Sequence, residues 1–259
     1  MSSKIKTIGV MDSGFGGLSV LSELANSLPS VDYIYYGDLK NSPYGKKSRQ
    51  DVLQLSEEII QFFIHEGVSA VLLACNTATS AAATELRSRY NIPIFGMEPA
   101  IKPAVLENQG EKVAVFATSL TLKEEKFNRL EKSLHAGHVI EQINCDGLAN
   151  LIDSDDIPSC IDFLDPILKE LCDRNINNFV LGCTHYLLIR PLFYKYNDNI
   201  KIYDGNEGTI RHIISSLSIP EVERESRIEL FLNGGTDDDF QIAYRFLNAN
   251  PREDKKYVK

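Results

Sequence analysis

The sequence lacks any apolar run long enough to cross a bilayer, and it lacks an excess of positive charge. Its longest apolar stretches, such as residues 68–74, have the length of a strand, whereas a membrane-spanning helix needs roughly 20 apolar residues. The formal net charge of −9 argues against nucleic-acid binding, which normally requires clustered positive charge. We therefore expect no membrane span and no nucleic-acid partner.

The sequence also lacks the cysteine patterns of disulfide-rich and zinc-binding proteins. Its 5 cysteines are an odd number and are widely spaced, and no two of them form a C-x-x-C pair, so neither a disulfide framework nor a metal site is expected. The first residues lack the apolar segment and the cleavage site of a signal peptide. We expect reduced thiols in a cytoplasmic protein whose 259 residues form one large domain or two lobes.

Short strand patterns alternate with longer helical patterns, and this rhythm predicts the α/β class, with parallel strands joined by crossover helices. The clearest helix begins after Ser48, which has Asp51 three residues on as a capping partner, and it ends at Gly67. Further helices are predicted at residues 17–28 and 77–90. Strands are predicted at residues 5–10, 33–36, 68–74, 92–95, 112–116, 139–143, 179–181, 200–203 and 228–232. The candidate crossings between two lobes are residues 96–100 and 204–208.

One local pattern occurs twice, in residues 70–77 and 178–184, where an apolar strand runs into Cys75 or Cys183 and a threonine follows within two residues. Ligands bind beyond the carboxyl ends of parallel strands, and the positive end of a following helix lowers the pKa of a thiol. Two such thiols on two lobes suit a reaction in which one face of a carbon loses a proton and the other gains one. That reaction is racemisation. The remaining cysteines are expected to be structural: Cys145, Cys160 and Cys172.

A glycine-rich segment, residues 12–17, follows the first predicted strand. Its spacing completes neither G-x-G-x-x-G nor a P-loop. Asp12 has two interpretations, as the cap of the following helix or as a group that holds a substrate ammonium or orients a thiol. His185 is either a hydrogen-bonded structural residue or, two residues after Cys183, a group that assists the ionisation of that thiol.

Four segments resemble the signatures of glutamate racemases and occur in the same order: residues 8–21, residues 35–38 together with 43–45, residues 74–77 and residues 181–185. They span most of the chain, and their combination is highly specific. The resemblance implies two similar α/β lobes, each a mainly parallel sheet flanked by helices, with the active site in the cleft between them. The first lobe would comprise residues 1–97 plus 206–259, and the second would comprise residues 98–205.

The resemblance also implies roles for individual residues. Cys75 and Cys183 match the catalytic pair, and Asp12 and His185 match the acid/base helpers, which also contact substrate. The other positions that match substrate-binding residues are Ser13, Pro43, Tyr44, Gly45, Asn76, Thr77, Thr118, Thr121 and Thr184. Neither a cofactor nor a metal is expected.

Asp153 is a less direct match. Residues 145–153 resemble a family segment that ends in a glutamate helping the second cysteine, but the carboxylate here is one methylene shorter. The alternative is that Asp153 belongs, with Asp155 and Asp156, to a solvated acidic turn or helix start.

The implied function is the interconversion of L- and D-glutamate by a thiol/thiolate pair, which supplies D-glutamate for peptidoglycan. Two alternatives stay open. One is a related two-cysteine racemase for aspartate or a hydantoin, and the other is a non-catalytic regulator that binds an amino acid. Glutamate is the expected small-molecule substrate. For the oligomeric state, we consider a homodimer.

Overall fold

The computed structural model describes residues 6–123, 132–133, 139–218 and 225–247, together with the backbone of 255–256. Its strands pair in two sheets, and every pairing is parallel. The strands are β1 (Thr7–Asp12), β2 (Asp32–Gly37), β3 (Ala70–Leu73), β4 (Ile94–Gly96), β5 (Val113–Ala117), β6 (Ile140–Asn144), β7 (Asn178–Leu181), β8 (Lys201–Tyr203), β9 (Ile228–Leu232) and β10 (Lys255–Lys256).

Helices connect these strands. They are α1 (Gly17–Ser27), α2 (Arg49–His65), α3 (Asn76–Arg89), α4 (Ile101–Glu107), α5 (Ser119–Lys123), α6 (Leu148–Asp153), α7 (Ile157–Asp173), α8 (Thr184–Leu188), α9 (Asn206–Ser216) and α10 (Asp237–Leu247). Short 3₁₀ turns lie at Leu39–Asn41, Tyr44–Lys46 and Arg190–Tyr194. Among the described residues, no helix is both long and apolar enough to span a membrane.

The six-stranded sheet has the order β10-β9-β2-β1-β3-β4, and the four-stranded sheet has the order β6-β5-β7-β8. The predicted α/β class with two mainly parallel sheets is confirmed. We call the six-stranded sheet with its helices the first lobe and the four-stranded sheet with its helices the second lobe. The lobe boundaries at residues 97 and 205 stay a prediction, and parts of both predicted lobes lie outside the described residues.

Neighbouring residues of a strand pack on opposite faces of the first sheet, because side chains alternate along a strand. Val10 packs with Leu21 of α1 and Ile213 of α9, whereas Met11 packs with Phe63 of α2. All five side chains are fully buried, and each such burial contributes about 1.5–3 kcal/mol. Helices therefore cover both faces of the sheet and hold the carboxyl ends of its strands in fixed positions.

The second sheet is covered in the same way. Phe116 packs with Leu164 of α7 on one face, and Val115 packs with Ile101 of α4 on the other. The two crossings between the lobes touch each other, because a Cβ at Gly205 would lie 2.4 Å from the carbonyl oxygen of Glu98. This contact fixes the crossings side by side.

The capping box predicted for α2 is confirmed. Ser48 Oγ accepts a hydrogen bond from the Asp51 amide at 3.1 Å, and Asp51 Oδ2 accepts one from the Ser48 amide at 3.3 Å. Gly67 follows the helix with φ of +75°, a value that glycine adopts without strain. The strand predicted at residues 92–95 instead begins at Ile94, because Pro93 has no amide hydrogen to donate to the ladder.

Candidate active site

The carboxyl ends of strands from both lobes meet at one place. Asp12 ends β1, Cys75 follows β3, and Cys183 follows β7. The lobes are joined there by a direct hydrogen bond, in which Thr184 Oγ1 of the second lobe donates to Asp12 Oδ2 of the first at 3.1 Å. The repeated cysteine pattern therefore lies in facing sheets, on either side of a shared interior.

Cys75 is the N-cap residue of α3 and is almost fully buried. Its Sγ accepts a hydrogen bond from the Ala78 amide at 3.4 Å and lies 3.7 Å from Ser13 Oγ. Burial, reinforced by the charge of Asp12, raises the pKa of Cys75 to about 12. The position of Cys75 at a helix terminus predicts a lowered pKa. The Ala78 amide does favour the thiolate, but desolvation outweighs it, so Cys75 rests as a thiol.

Cys183 has different neighbours. It is partly exposed, and its Sγ lies 3.7 Å from Nδ1 of His185. The other ring nitrogen, Nε2, lies 2.9 Å from Asp153 Oδ1 and 4.0 Å from Asp12 Oδ1. Among the described residues, Nε2 has no hydrogen-bond partner, so its contact with Asp153 is an ion pair.

Electrostatics favour a charged His185. Its burial opposes the charge, but the attraction of Asp153, supported by Cys183 and Asp12, outweighs burial and raises the pKa well above the usual value. An imidazolium therefore lies beside Cys183. Among the described residues, the charge that acts most strongly on Cys75 is the carboxylate of Asp12 rather than a cation.

Asp153 is not part of a solvated acidic turn, and that alternative is wrong. The side chain faces the interior, where Oδ1 accepts a hydrogen bond from the Phe15 amide at 3.2 Å and Oδ2 accepts one from Ser42 Oγ at 3.2 Å. Asp155 instead pairs with Arg245 at 3.0 Å. One methylene less than glutamate thus leaves the carboxylate within reach of the imidazole.

Asp12 is fully buried and does not cap α1. Its Oδ1 accepts a hydrogen bond from the Gly14 amide at 2.9 Å, whereas the N-cap residue of α1 is Gly16. Burial raises the pKa of Asp12, an effect that His185 and the bonds from Gly14 and Thr184 only partly offset. The interpretation of Asp12 as a simple cap is therefore wrong.

The glycines of residues 12–17 allow the two lobes to approach closely. A Cβ at Gly14 would lie 2.4 Å from Asp153 Oδ2, and one at Gly16 would lie 2.3 Å from His185 Nδ1. A real Cβ atom essentially never lies within 3.0 Å of a non-bonded heavy atom. The segment thus serves close contact between lobes rather than the binding of a nucleotide.

Hydroxyl groups from both lobes cluster near Cys75. The Oγ1 atom of Thr77 lies 3.1 Å from that of Thr118 and 3.4 Å from that of Thr121. Gly45 packs on Thr118, since a Cβ at Gly45 would lie 2.8 Å from its Cγ2. Asn76 is buried, and its Oδ1 has no hydrogen-bond partner among the described residues.

Tyr44 follows Pro43, whose preceding peptide bond is cis, and it is fixed by a carboxylate that sequence reasoning did not single out. Its hydroxyl donates to Asp38 Oδ2 at 2.6 Å. Asp38 Oδ1 accepts from the side-chain amides of Asn41 at 3.0 Å and Asn233 at 2.7 Å. Asp38 thus anchors the turn that carries Tyr44.

A family model described as Asp/Glu/Hydantoin racemase matches residues 8–213. The chain belongs to this racemase family, a family of isomerases. It is 49% identical over 247 residues to a glutamate racemase from Leptospira interrogans, with 93% of this chain and 96% of the relative covered.

Solved structures agree with this assignment. A glutamate racemase isoform from Bacillus anthracis has a TM-score of 0.82 at 27% identity, with 94% of each chain covered. A glutamate racemase from Escherichia coli, solved with L-glutamate and the activator UDP-MurNAc-ala, has a TM-score of 0.79 at 26% identity, with 93% of this chain and 95% of that chain covered.

The other three cysteines of this racemase-family chain have structural surroundings. Cys145 is buried with its Sγ directed to the Ile143 carbonyl, and burial raises its pKa well above the usual value. Cys160 is part of the core of the second lobe, and Cys172 lies near the carbonyl of Tyr196 at 3.9 Å. None of them has an acid/base partner like His185 within the part of the chain that the structure describes.

Proposed function

We propose that the protein interconverts L- and D-glutamate without a cofactor, using Cys75 and Cys183 as its two acid/base groups. The observation that carries the proposal is the pair of thiols at strand ends of facing lobes, each with polar partners of its own. One thiol on each side of a bound α-carbon is the arrangement that inversion by two bases needs. The relatives named glutamate racemase support glutamate as the substrate.

Proton transfer would start with the two thiols in opposite states. The imidazolium of His185 stabilises a thiolate at Cys183, while Cys75, with a pKa of about 12, supplies a thiol. The bond between the α-carbon and its hydrogen breaks as an S–H bond forms at Cys183. The S–H bond of Cys75 then breaks as a new C–H bond forms on the opposite face. The product leaves the thiols with exchanged states, from which the reverse reaction begins.

The remaining polar groups suit the charges of an amino acid. The Oδ1 atom of Asn76 is buried without a partner among the described residues, so it is free to accept a hydrogen bond from an ammonium. Hydroxyls of Ser13, Thr77, Thr118 and Thr121 can donate to carboxylates. Donors already in place stabilise the negative charge that develops next to the α-carboxylate in the transition state.

We further propose that the enzyme acts in the cytoplasm and that its D-glutamate is used for peptidoglycan. Its bacterial relatives named glutamate racemase support this role. Depletion of the protein in its own host should stop growth unless D-glutamate is added. Normal growth of depleted cells without D-glutamate would contradict this part of the proposal.

The experiment that tests the activity is chiral chromatography on purified protein, with a chelator and without added cofactor. L-glutamate, D-glutamate, L-aspartate and a chiral hydantoin are offered separately. Racemisation of both glutamate enantiomers supports the proposal, and preference for aspartate or the hydantoin would replace the substrate. Binding of glutamate without turnover of any substrate would favour the regulator.

A further inference from the structure

Ser42 contacts the carboxylate beside His185 from across the boundary between the lobes. We infer that Ser42 is a positioning residue that fixes Asp153 against His185 and makes this pairing depend on contact between the lobes. The inference rests on the proposed racemase function for its kinetic consequences. The geometry that carries it is the hydrogen bond from Ser42 Oγ to Asp153 Oδ2, at 3.2 Å and across 111 residues of chain.

The two oxygens of Asp153 have different partners. Oδ2 accepts from Ser42, while Oδ1 accepts from the Phe15 amide at 3.2 Å and lies 2.9 Å from Nε2 of His185. Both donors belong to the first lobe, whereas Asp153 and His185 belong to the second. Separation of the lobes would therefore remove both donors at once and leave the pair with the imidazole unsupported.

The position of Ser42 is itself well determined. Its amide donates to the Leu39 carbonyl at 3.2 Å, closing the 3₁₀ turn Leu39–Asn41. Asn41 is held in turn by its amide bonds to Asp38. The hydroxyl of Ser42 is thus presented from a braced turn rather than from a freely moving loop.

A cavity next to Asp153 gives its carboxylate room to move when the hydrogen bond from Ser42 is removed. Asp153 is 14% exposed at its side chain and borders a cavity of about 190 Å³, together with Ser42, Asn150 and Ser154. Without the hydroxyl of Ser42, the Phe15 amide and His185 still hold Oδ1, but Oδ2 loses its partner and the carboxylate rotates more readily toward this space and toward solvent. Rotation weakens its attraction for the imidazolium, because the charge then lies farther away and is better screened.

His185 faces Asp153, Asp12 and Cys183. Of the two carboxylates, Asp153 is the nearer, at 2.9 Å against 4.0 Å. A looser Asp153 should therefore lower the pH at which His185 loses its proton. Because the imidazolium acts directly on the reacting thiol and is only one of many groups expected to contact substrate, the loss should appear in kcat more than in KM.

The test compares Ser42→Ala with Ser42→Thr, which keeps a hydroxyl, and with Ser154→Ala, which removes a serine from the same cavity without removing a bond to Asp153. Ser42→Ala should lower kcat roughly tenfold and change KM by less than about twofold. Titration of ¹⁵N-histidine signals, assigned with His185→Gln, should show a lower pKa for His185. Ser42→Thr and Ser154→Ala should stay close to the wild type in both measurements.

A double-mutant cycle completes the test. In an Asp153→Asn background, Ser42→Ala should have no further effect on kcat, because the carboxylate that Ser42 positions is absent. Additive losses would overturn the inference, as would equal losses in Ser154→Ala and Ser42→Ala. If Ser42→Ala does not fold, Ser42→Cys, with a weak donor of similar size, carries the same comparison.

The histidine titration needs no substrate, so it tests the positioning role of Ser42 independently of the proposed racemase activity. If the wild type racemises glutamate while Ser42→Ala changes neither kcat nor the His185 pKa, only the positioning role is lost. If the wild type shows no racemisation but Ser42→Ala still lowers the His185 pKa, the positioning holds and the proposed function fails.

Discussion

The bond between Thr184 and Asp12 should contribute to stability by an amount that depends on pH. Thr184→Val keeps the shape of the side chain and removes the hydroxyl that donates to Asp12 Oδ2 at 3.1 Å. Both residues are almost fully buried, so water cannot readily replace the bond. A hydrogen bond to a charged group contributes about 1.5–3 kcal/mol, and one to a neutral group about 0.5–1.5 kcal/mol. The cost should therefore be larger when Asp12 is ionised.

The sign follows from the raised pKa of Asp12. A group with a raised folded pKa contributes stability at low pH that is lost as pH rises through that pKa. Removing Thr184 raises the pKa further and deepens this loss. With Asp12 ionised, we expect Thr184→Val to lower the free energy of unfolding by about 2 kcal/mol and Tm by about 4–8 °C, and the difference should shrink as pH falls through the raised pKa of Asp12.

Urea unfolding from acidic to neutral pH measures this dependence. Thr209→Val is the matched control, since the hydroxyl of Thr209 is also buried but its partner is the uncharged sulfur of Met97, at 3.4 Å. Its effect on unfolding should change little with pH. If Thr184→Val costs the same at every pH, or follows the control throughout, the reasoning about a buried charged acceptor is refuted.

Other predictions concern the reaction itself. Cys75→Ser or Cys183→Ser should leave circular dichroism unchanged but nearly abolish racemisation, because a hydroxyl is far less acidic than a thiol; retained activity in either variant would contradict the two-base assignment. Alkylation should inactivate the enzyme at one of these cysteines, with protection by glutamate, as mapped by mass spectrometry. Gly16→Ala should lower kcat/KM by about tenfold or more, because the added methyl group displaces the imidazole of His185. Gly208→Ala adds its methyl group in open space and should leave kcat/KM unchanged. Asp153→Asn should lower turnover at neutral pH, and wild-type kinetics across a pH series would exclude its helper role.

The fold class and the positions of the two site cysteines could be predicted from the sequence, because both depend on local patterns. Buried strands and amphipathic helices of ordinary length predicted the parallel sheets, and two repeated strand ends predicted where Cys75 and Cys183 lie. The two-residue strand β10 (Lys255–Lys256) was not predicted, because two lysines alone do not have the pattern of a strand. It is defined only by pairing with β9.

The details that depend on contact between lobes were not accessible. The acidic neighbours of Asp153 indicate a solvated turn, and the helper role rested on the family resemblance alone. In the structure the first lobe supplies Ser42 and the Phe15 amide as partners of Asp153. Similarly, the helix terminus at Cys75 predicted a lowered pKa, but burial raises it. A rule that uses only adjacent residues cannot include desolvation by distant parts of the chain.

The two cysteines of the proposed reaction have different surroundings, and the equilibrium between the enantiomers limits how this difference can affect the kinetics. Cys183 has a cation as its neighbour, whereas Cys75 has burial, a buried carboxylate and an amide. The resting enzyme should therefore favour one distribution of the proton between the thiols, and so one enantiomer as the substrate that binds productively first. Because L- and D-glutamate have equal free energy in achiral solution, kcat/KM must nevertheless be equal in the two directions. The asymmetry can appear only in the separate values of kcat and KM. A substitution such as Asp153→Asn must therefore change both kcat/KM values by the same factor, however strongly it favours one thiol state.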